Sequence, residues 1–226
     1  MNKKMLAELT GMTQDHLIFH KDLNCHIHKK IFQPLSDLAT HLEKNQFKLH
    51  IVSSFRSYEH QKRIWEEKVS GKRILLDEFE LPVDVKKIGP TNLLFSILNW
   101  SMIPGFSRHH LGSDLDVCDT RKLAPDYQIK LTNEECAAEG PFHKFHAFLD
   151  ELIENDECYG FFRPYTGLSR GVKPERWHLS HQEVSNSYLS QLSLEVFTNF
   201  IDHSDLSLKK EILDHAEIIF NQFIKP

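Results

Sequence analysis

Cysteine is scarce in this chain and poorly placed for either disulfides or metal. Among 226 residues there are four, Cys25, Cys118, Cys136 and Cys158. They form no C-x-x-C pair and no finger spacing, and a chain this long needs no disulfide framework to hold a core, so reduced, partly buried thiols are expected. Long apolar runs are also missing, which excludes a membrane-spanning helix. The opening Met1-Asn2-Lys3-Lys4-Met5-Leu6-Ala7-Glu8 has two lysines but no apolar stretch behind them, because Glu8, Gln14 and Asp15 interrupt it. It does not read as a secretory leader, and a cytoplasmic chain is expected, or a periplasmic one if a leader has been removed. An excess of basic charge is lacking too: 27 Lys+Arg face 32 Asp+Glu, a net charge of −5. That argues against a nucleic-acid partner, which needs a basic surface to neutralise phosphate. It also gives no pull toward an anionic membrane. Repeats and low-complexity segments are absent, and nothing in the sequence sets an oligomeric state.

What is present is an ordinary globular composition, 40% hydrophobic and 26% charged, with an unusual 15 histidines. Such a chain buries one sizeable core. Ile31, Leu35, Leu38 and Leu42 recur at helical spacing and end near Lys44-Asn45. Residues 47–53 alternate and then run apolar, as a strand does. Ser57 suits the N-cap of a helix over 58–69, with Ile64 and Trp65 facing inward and Gly71 ending it. Residues 72–90 have mixed charge and no period, and read as a long surface loop. Pro90 and Thr91 open a helix carrying Leu94, Ile97 and Leu98. Residues 114–117 read as a short strand. Thr132-Asn133-Glu134-Glu135 has the capping-box pattern, and Phe142, Phe145, Leu149, Leu152 and Ile153 mark a long helix. Residues 160–163 and 177–179 are strand-like. Two amphipathic stretches close the chain, one with Leu189, Leu192, Val196 and Phe200, the other with Leu208, Ile212, Ala216, Ile219 and Phe223. The expected fold is α+β, a small antiparallel sheet flanked by helices. Residues 1–181 are expected to form the functional domain, and 182–226 a helical extension packed on it.

Three segments carry chemistry: Ser53-Ser54-Phe55-Arg56-Ser57-Tyr58-Glu59-His60-Gln61, Ser107-Arg108-His109-His110-Leu111-Gly112-Ser113-Asp114-Leu115-Asp116, and Glu175-Arg176-Trp177-His178. A hydrolytic zinc site takes three protein ligands and leaves a fourth position open. It also needs a carboxylate to move the proton and a cation for the developing oxyanion. These segments supply His109, Asp116 and His178 as ligands, Glu175 as base and Arg56 as cation. On a strand Asp114 and Asp116 share one face, so periodicity admits either as the ligand. Glu175 and His178 lie on opposite faces of a flat strand, and a bend or bulge before Trp177 is needed to bring both to one metal.

The pattern S-x-H-x-x-G-x-x-x-D followed by E-x-W-H, with S-x-x-R-S-x-x-x-Q upstream, resembles the zinc D-alanyl-D-alanine carboxypeptidases. These include vancomycin-resistance and cell-wall enzymes, and they share a wider zinc-peptidase group with phage endolysins and the hedgehog domain. The resemblance covers about residues 49–181. It implies one zinc ion held by His109, Asp116 and His178, with Glu175 as general base and acid. Arg56 would act on the substrate carbonyl, Gln61 and Ser107 on its backbone or terminal carboxylate, and Trp177 would line the pocket. It tips the choice between aspartates toward Asp116. The implied partner is a peptide or muropeptide ending in a D-amino acid, cut by a carboxypeptidase. A stem-peptide endopeptidase and a non-catalytic zinc-stabilised binding domain are the alternatives. The chain departs from the family where Asp114 replaces a small apolar residue and Ser54 a glycine, and a second carboxylate there suits orienting a ligating histidine. His110 and His181 are neighbours able to compete for metal. His16, His20, His26, His28, His41, His143, His146, His203 and His215 read as surface or satisfied core, and Arg163 as ion-paired.

Overall fold

The computed structural model describes residues 1–167 and 171–225. The Asn2 carboxamide accepts the Met5 amide at 2.8 Å and starts helix α1 (Lys3–Leu9). Strands β1 (Leu17–His20) and β2 (Cys25–His28) form an antiparallel hairpin that the sequence reading left unassigned. Helix α2 (Phe32–Lys44) buries Leu35, Leu38 and Leu42 along the expected stripe. Strand β3 (Leu49–Ser53) follows. Helix α3 (Tyr58–Val69) is capped by Ser57, whose hydroxyl accepts the His60 amide at 3.2 Å. Ile64 and Trp65 are buried, and Gly71 leaves the helix at φ +73°.

The segment expected as one long loop differs. Strands β4 (Leu75–Leu76) and β5 (Pro82–Val83) pair there as a small antiparallel hairpin. The Asp77 carboxylate closes its turn by accepting the Phe79 and Leu81 amides at 2.8 and 2.9 Å. The Trp100 indole donates to the Asp77 carbonyl at 2.8 Å and holds the hairpin against the body. Two-residue strands carry too few side chains to show a period, so composition could not reveal them.

Helix α4 (Pro90–Leu98) precedes the central strand β6 (Asp114–Asp119). The capping box at Thr132 opens only a single turn, α5 (Asn133–Cys136), and the long helix is α6 (His143–Glu154). Strands β7 (Phe161–Phe162) and β8 (His178–His181) complete a four-stranded antiparallel sheet in the order β3-β6-β8-β7. The architecture is α+β, as expected.

Past the sheet come α7 (Gln182–Leu189), α8 (Leu194–Asp202), α9 (Lys209–Asp214) and α10 (Ala216–Ile219), the last continuing into a π-helical turn (Phe220–Ile224). The two stretches anticipated here are thus broken. Ser193 caps α8 by accepting the Val196 amide at 3.2 Å, so Leu189 and Leu192 precede that helix rather than lie in it. Leu208 takes a left-handed φ of +62° ahead of α9. Phe197, Ile201, Ile212 and Ile219 share one buried cluster with Leu94, Ile97 and Leu115. The Phe106 ring meets Phe197 edge-on at 4.8 Å and Phe200 at 5.4 Å. All four cysteines are free and buried. Among the described residues no helix is long and apolar enough to cross a membrane.

Burial lowers three core imidazoles, His28 to about 4, His110 to about 3 and His146 to about 2. The folded chain therefore refuses protons that the unfolded chain accepts below the ordinary histidine value. Stability should fall as pH drops below 6.5, by up to about 1.4 kcal/mol per pH unit for a fully buried ring such as His146. Denaturant melts between pH 7.5 and 4.5 should show this slope, and His146→Leu should make it shallower.

Candidate metal centre and catalytic cavity

His109 sits in a one-turn 3-10 helix (Arg108–Leu111) that Ser107 precedes. Gly112 then takes φ +68° and brings the chain against the N-terminal hairpin, where a Cβ would stand 2.9 Å from the His28 amide nitrogen. Only glycine allows that turn and that approach together. The chain runs from it directly into β6. There Asp116 lies opposite His178, the first residue of β8, and Asp114 lies opposite Ser180. Leu115 and Val117 point into the core from the other face. Glu175 reaches His178 through a turn closed by the His178 amide on the Glu175 carbonyl at 3.0 Å. That turn supplies the bend that the sequence required.

The side chains converge. His109 Nε2 is 3.3 Å from Asp116 Oδ2, and His178 Nδ1 is 3.2 Å from Asp116 Oδ1. One donor atom from each of the three residues lies within 4.8 Å of the others. His109 Nδ1 is bonded to the Ser54 carbonyl at 2.9 Å, so its Nε2 faces the centre. His178 Nε2 is bonded to Asp114 Oδ1 at 3.1 Å, so its Nδ1 does. Asp116 Oδ1 and His178 Nδ1 are buried and face each other, and neither makes a well-aligned hydrogen bond. Orphaned acceptors of this kind, two imidazoles and a carboxylate aimed at one point, fit a divalent metal ion.

Periodicity left both aspartates open, and their partners separate them. Asp114 is fully buried behind His178, accepting from Arg108 Nε at 2.8 Å and from the Ser113 hydroxyl at 2.8 Å. Its charge is already met, and it sets which His178 nitrogen turns inward. Ser54 contributes only its backbone carbonyl, which accounts for a serine standing where the family often has glycine.

A cavity of about 310 Å³ opens over this centre, lined by Arg56, Ser107, Trp177 and Glu175 as well as the three convergent residues. Glu175 Oε2 is 3.5 Å from His178 Nδ1. Burial pushes the Glu175 carboxyl up to about 7; Asp116 adds to that, while His178, Arg56 and Lys68 act against it. Arg56 donates to Gln61 Oε1 at 2.7 Å and to Ser53 Oγ at 3.1 Å, and lies 3.9 Å from Asp116 Oδ2. Gln61 has no exposed surface; its amide nitrogen donates to the Met102 carbonyl at 2.6 Å. It therefore stands behind Arg56 and holds it, rather than facing substrate as the resemblance implied. Trp177 packs on Cys118, Cys136 and Phe142 and turns its remaining edge to the cavity.

His110 and His181 lie outside the cluster. The His110 ring bonds the Arg56 carbonyl at 2.5 Å and accepts the Gly105 amide at 3.0 Å, while His181 packs edge-on against Phe161. Arg163 is ion-paired, sharing Asp150 with Arg176. The sequence reading missed Tyr165, whose ring stands 4.9 Å from that of His178, and it missed Lys68 on α3. Neither belongs to a motif, and only the folded chain brings them to the cavity.

Comparison with known proteins agrees with this geometry. The family model for D-alanyl-D-alanine carboxypeptidase, VanY, matches residues 24–184. This chain belongs to the VanY family. It is a peptidase by that membership. Two Haemophilus influenzae proteins of no assigned function are similar: one is 26% identical over 124 residues, covering 54% of this chain and 92% of the relative. The other is 30% identical over 99 residues, covering 42% and 67%. Among solved structures, VanYB in complex with D-alanine-D-alanine superposes with a TM-score of 0.53 at 22% identity, covering 81% of this chain and 87% of that one. A mutant of the vancomycin-resistance D,D-pentapeptidase VanY, in complex with Zn(II), gives 0.51 at 20% identity, covering 87% and 88%. These likenesses establish the fold.

Removing the carboxylate behind His178 should loosen the centre. Asp114→Ala is expected to weaken binding of added zinc by about 10- to 100-fold, read by competition with a chromogenic chelator. Ser54→Gly keeps the carbonyl and should leave that affinity unchanged.

Proposed function

We propose that this chain is a zinc-dependent carboxypeptidase that removes a C-terminal D-amino acid, D-alanine, from peptidoglycan-type peptides. The observation that carries the reading is the convergence of His109, Asp116 and His178, with Glu175 beside them in the same cavity. A nitrogen–nitrogen–oxygen donor set with two buried, unpartnered atoms suits zinc. A zinc ion held there supplies a Lewis acid that acidifies water and polarises a carbonyl oxygen. The substrate class is supported by the family and by the D-alanine-D-alanine bound to VanYB.

The residues of the chain then divide the work. Glu175, whose carboxyl burial raises above its ordinary value, is the group to take a proton from the attacking water and return it to the departing amine. A carboxylate at its ordinary value would be a weaker base and a poor proton donor at neutral pH. Arg56 presents a fixed positive charge at the cavity wall, where negative charge develops on the carbonyl oxygen. Gln61 and Ser53 hold two of its nitrogens, so little reorganisation is left for the moment of reaction. Trp177 and Tyr165 wall the cavity, and Ser107 is placed for a polar contact with the peptide backbone.

D-Alanine release from a pentapeptide ending in D-Ala-D-Ala tests the reading. The zinc-loaded protein should release single D-alanine, and chelation should abolish release. Glu175→Gln should keep stoichiometric zinc and lose at least about 10²- to 10⁴-fold in kcat. His109→Ala, Asp116→Ala and His178→Ala should each lose zinc and turnover together. Parental turnover in Glu175→Gln would remove the role given to that residue. An internal cut without release of D-alanine would replace carboxypeptidase with endopeptidase.

A further inference from the structure

Helix α3 turns one stripe toward the catalytic cavity. Gln61, Ile64 and Lys68 follow at i, i+3 and i+7 on one face. Gln61 packs behind Arg56, and Ile64 and Lys68 line the cavity itself. Most cations near this wall are committed. Arg56 is held by Gln61 and Ser53 beside Asp116, Arg108 is paired with Asp114, and Arg73 meets Glu67 at 3.2 Å. Lys130 lines the rim from an exposed position, where water screens it. Lys68 is partly buried, and among the described residues no hydrogen bond or ion pair meets its ammonium.

An enclosed cation with no hydrogen bond or close ion pair is costly, and the cost is met when a ligand brings an anion into contact. Burial lowers Lys68 to about 8, which leaves it positively charged at neutral pH, and Glu175, in the same cavity, acts in the opposite direction. The substrate of a carboxypeptidase brings such an anion to a fixed place. The scissile bond is one residue from the free carboxylate, so that group stands about 4 Å along the chain from the reacting carbonyl. The same cavity holds Glu175, Asp116 and Glu80, which repel an anionic end unless a cation receives it.

We propose that Lys68 is a specificity-determining residue that binds the free C-terminal carboxylate of the peptide and so makes the site an exopeptidase. The inference rests on the carboxypeptidase reading above and assigns the cation which that reading left open.

The test uses two peptides of one sequence, one ending in D-alanine as the free acid and the other as its amide. The zinc-loaded parent should strongly prefer the acid. Lys68→Met keeps the length of the side chain and removes the charge. It should raise KM for the acid by on the order of 10- to 100-fold, with a smaller change in kcat, so that the acid-to-amide ratio collapses toward one. Lys68→Arg should restore much of that ratio. Zinc content, measured in every variant, separates this from damage to the centre. Calorimetry with D-Ala-D-Ala in the Glu175→Gln background gives a second readout: adding Lys68→Met should cost a similar factor in affinity. Full acid preference in Lys68→Met, or unchanged affinity in the calorimetric arm, would overturn the assignment. If the parent cleaves neither peptide, the carboxypeptidase reading fails, and calorimetry still decides whether Lys68 holds a carboxylate.

Discussion

Register between β6 and β8 is the constraint on which the site depends. It sets Asp116 against His178 and Asp114 against Ser180, and so fixes two candidate metal donors and the carboxylate behind them in a single pairing. A slip of one residue would turn both aspartates into the core and bring Leu115 and Val117 to the cavity. The apolar face prevents the slip, because those two side chains belong to the main buried cluster. Packing on one side of a strand thus holds charge in place on the other.

That charge is arranged in pairs around one deliberate gap. Arg108 meets Asp114, and Arg56 leans on Asp116 while its two terminal nitrogens donate to Gln61 and Ser53. What is left without a well-aligned hydrogen bond in the centre, Asp116 Oδ1 and His178 Nδ1, lies beside Glu175, whose carboxyl burial raises toward neutrality. Fixed neighbours and open acceptors are what a reaction centre needs if little is to move when charge develops. The Arg108–Asp114 pair belongs to the same scheme: a buried carboxylate is tolerable in place of a small apolar residue because a guanidinium, a hydroxyl and an imidazole all meet it.

Much of this was legible in the sequence. The helices at 32–44, 58–69 and 90–98 follow their apolar stripes and caps, and the segments holding His109, Asp116 and His178 each lie where strand or turn chemistry places them. Other features depend on contacts that no local pattern encodes. The hairpin at 17–28 has short strands rich in histidine, and β4 and β5 have two residues each. Gln61 looked like a substrate contact because its motif neighbour is Arg56, yet an interior carbonyl at Met102 claims its amide. Tyr165 and Lys68 reach the cavity from segments with no motif of their own. The breaks among the last helices turn on single residues, the cap at Ser193 and the left-handed Leu208, which an apolar stripe reads straight through.

The aromatic seam joining Phe106 to Phe197 and Phe200 ties the centre to the helices beyond the sheet. Phe106 lies three residues before His109, and Gly105 gives the Phe200 ring the space a Cβ would fill, 2.5 Å away. The segment bearing His109 is thus braced by α8, so a change in the packing of that helix, far from the cavity, is felt at one corner of the centre.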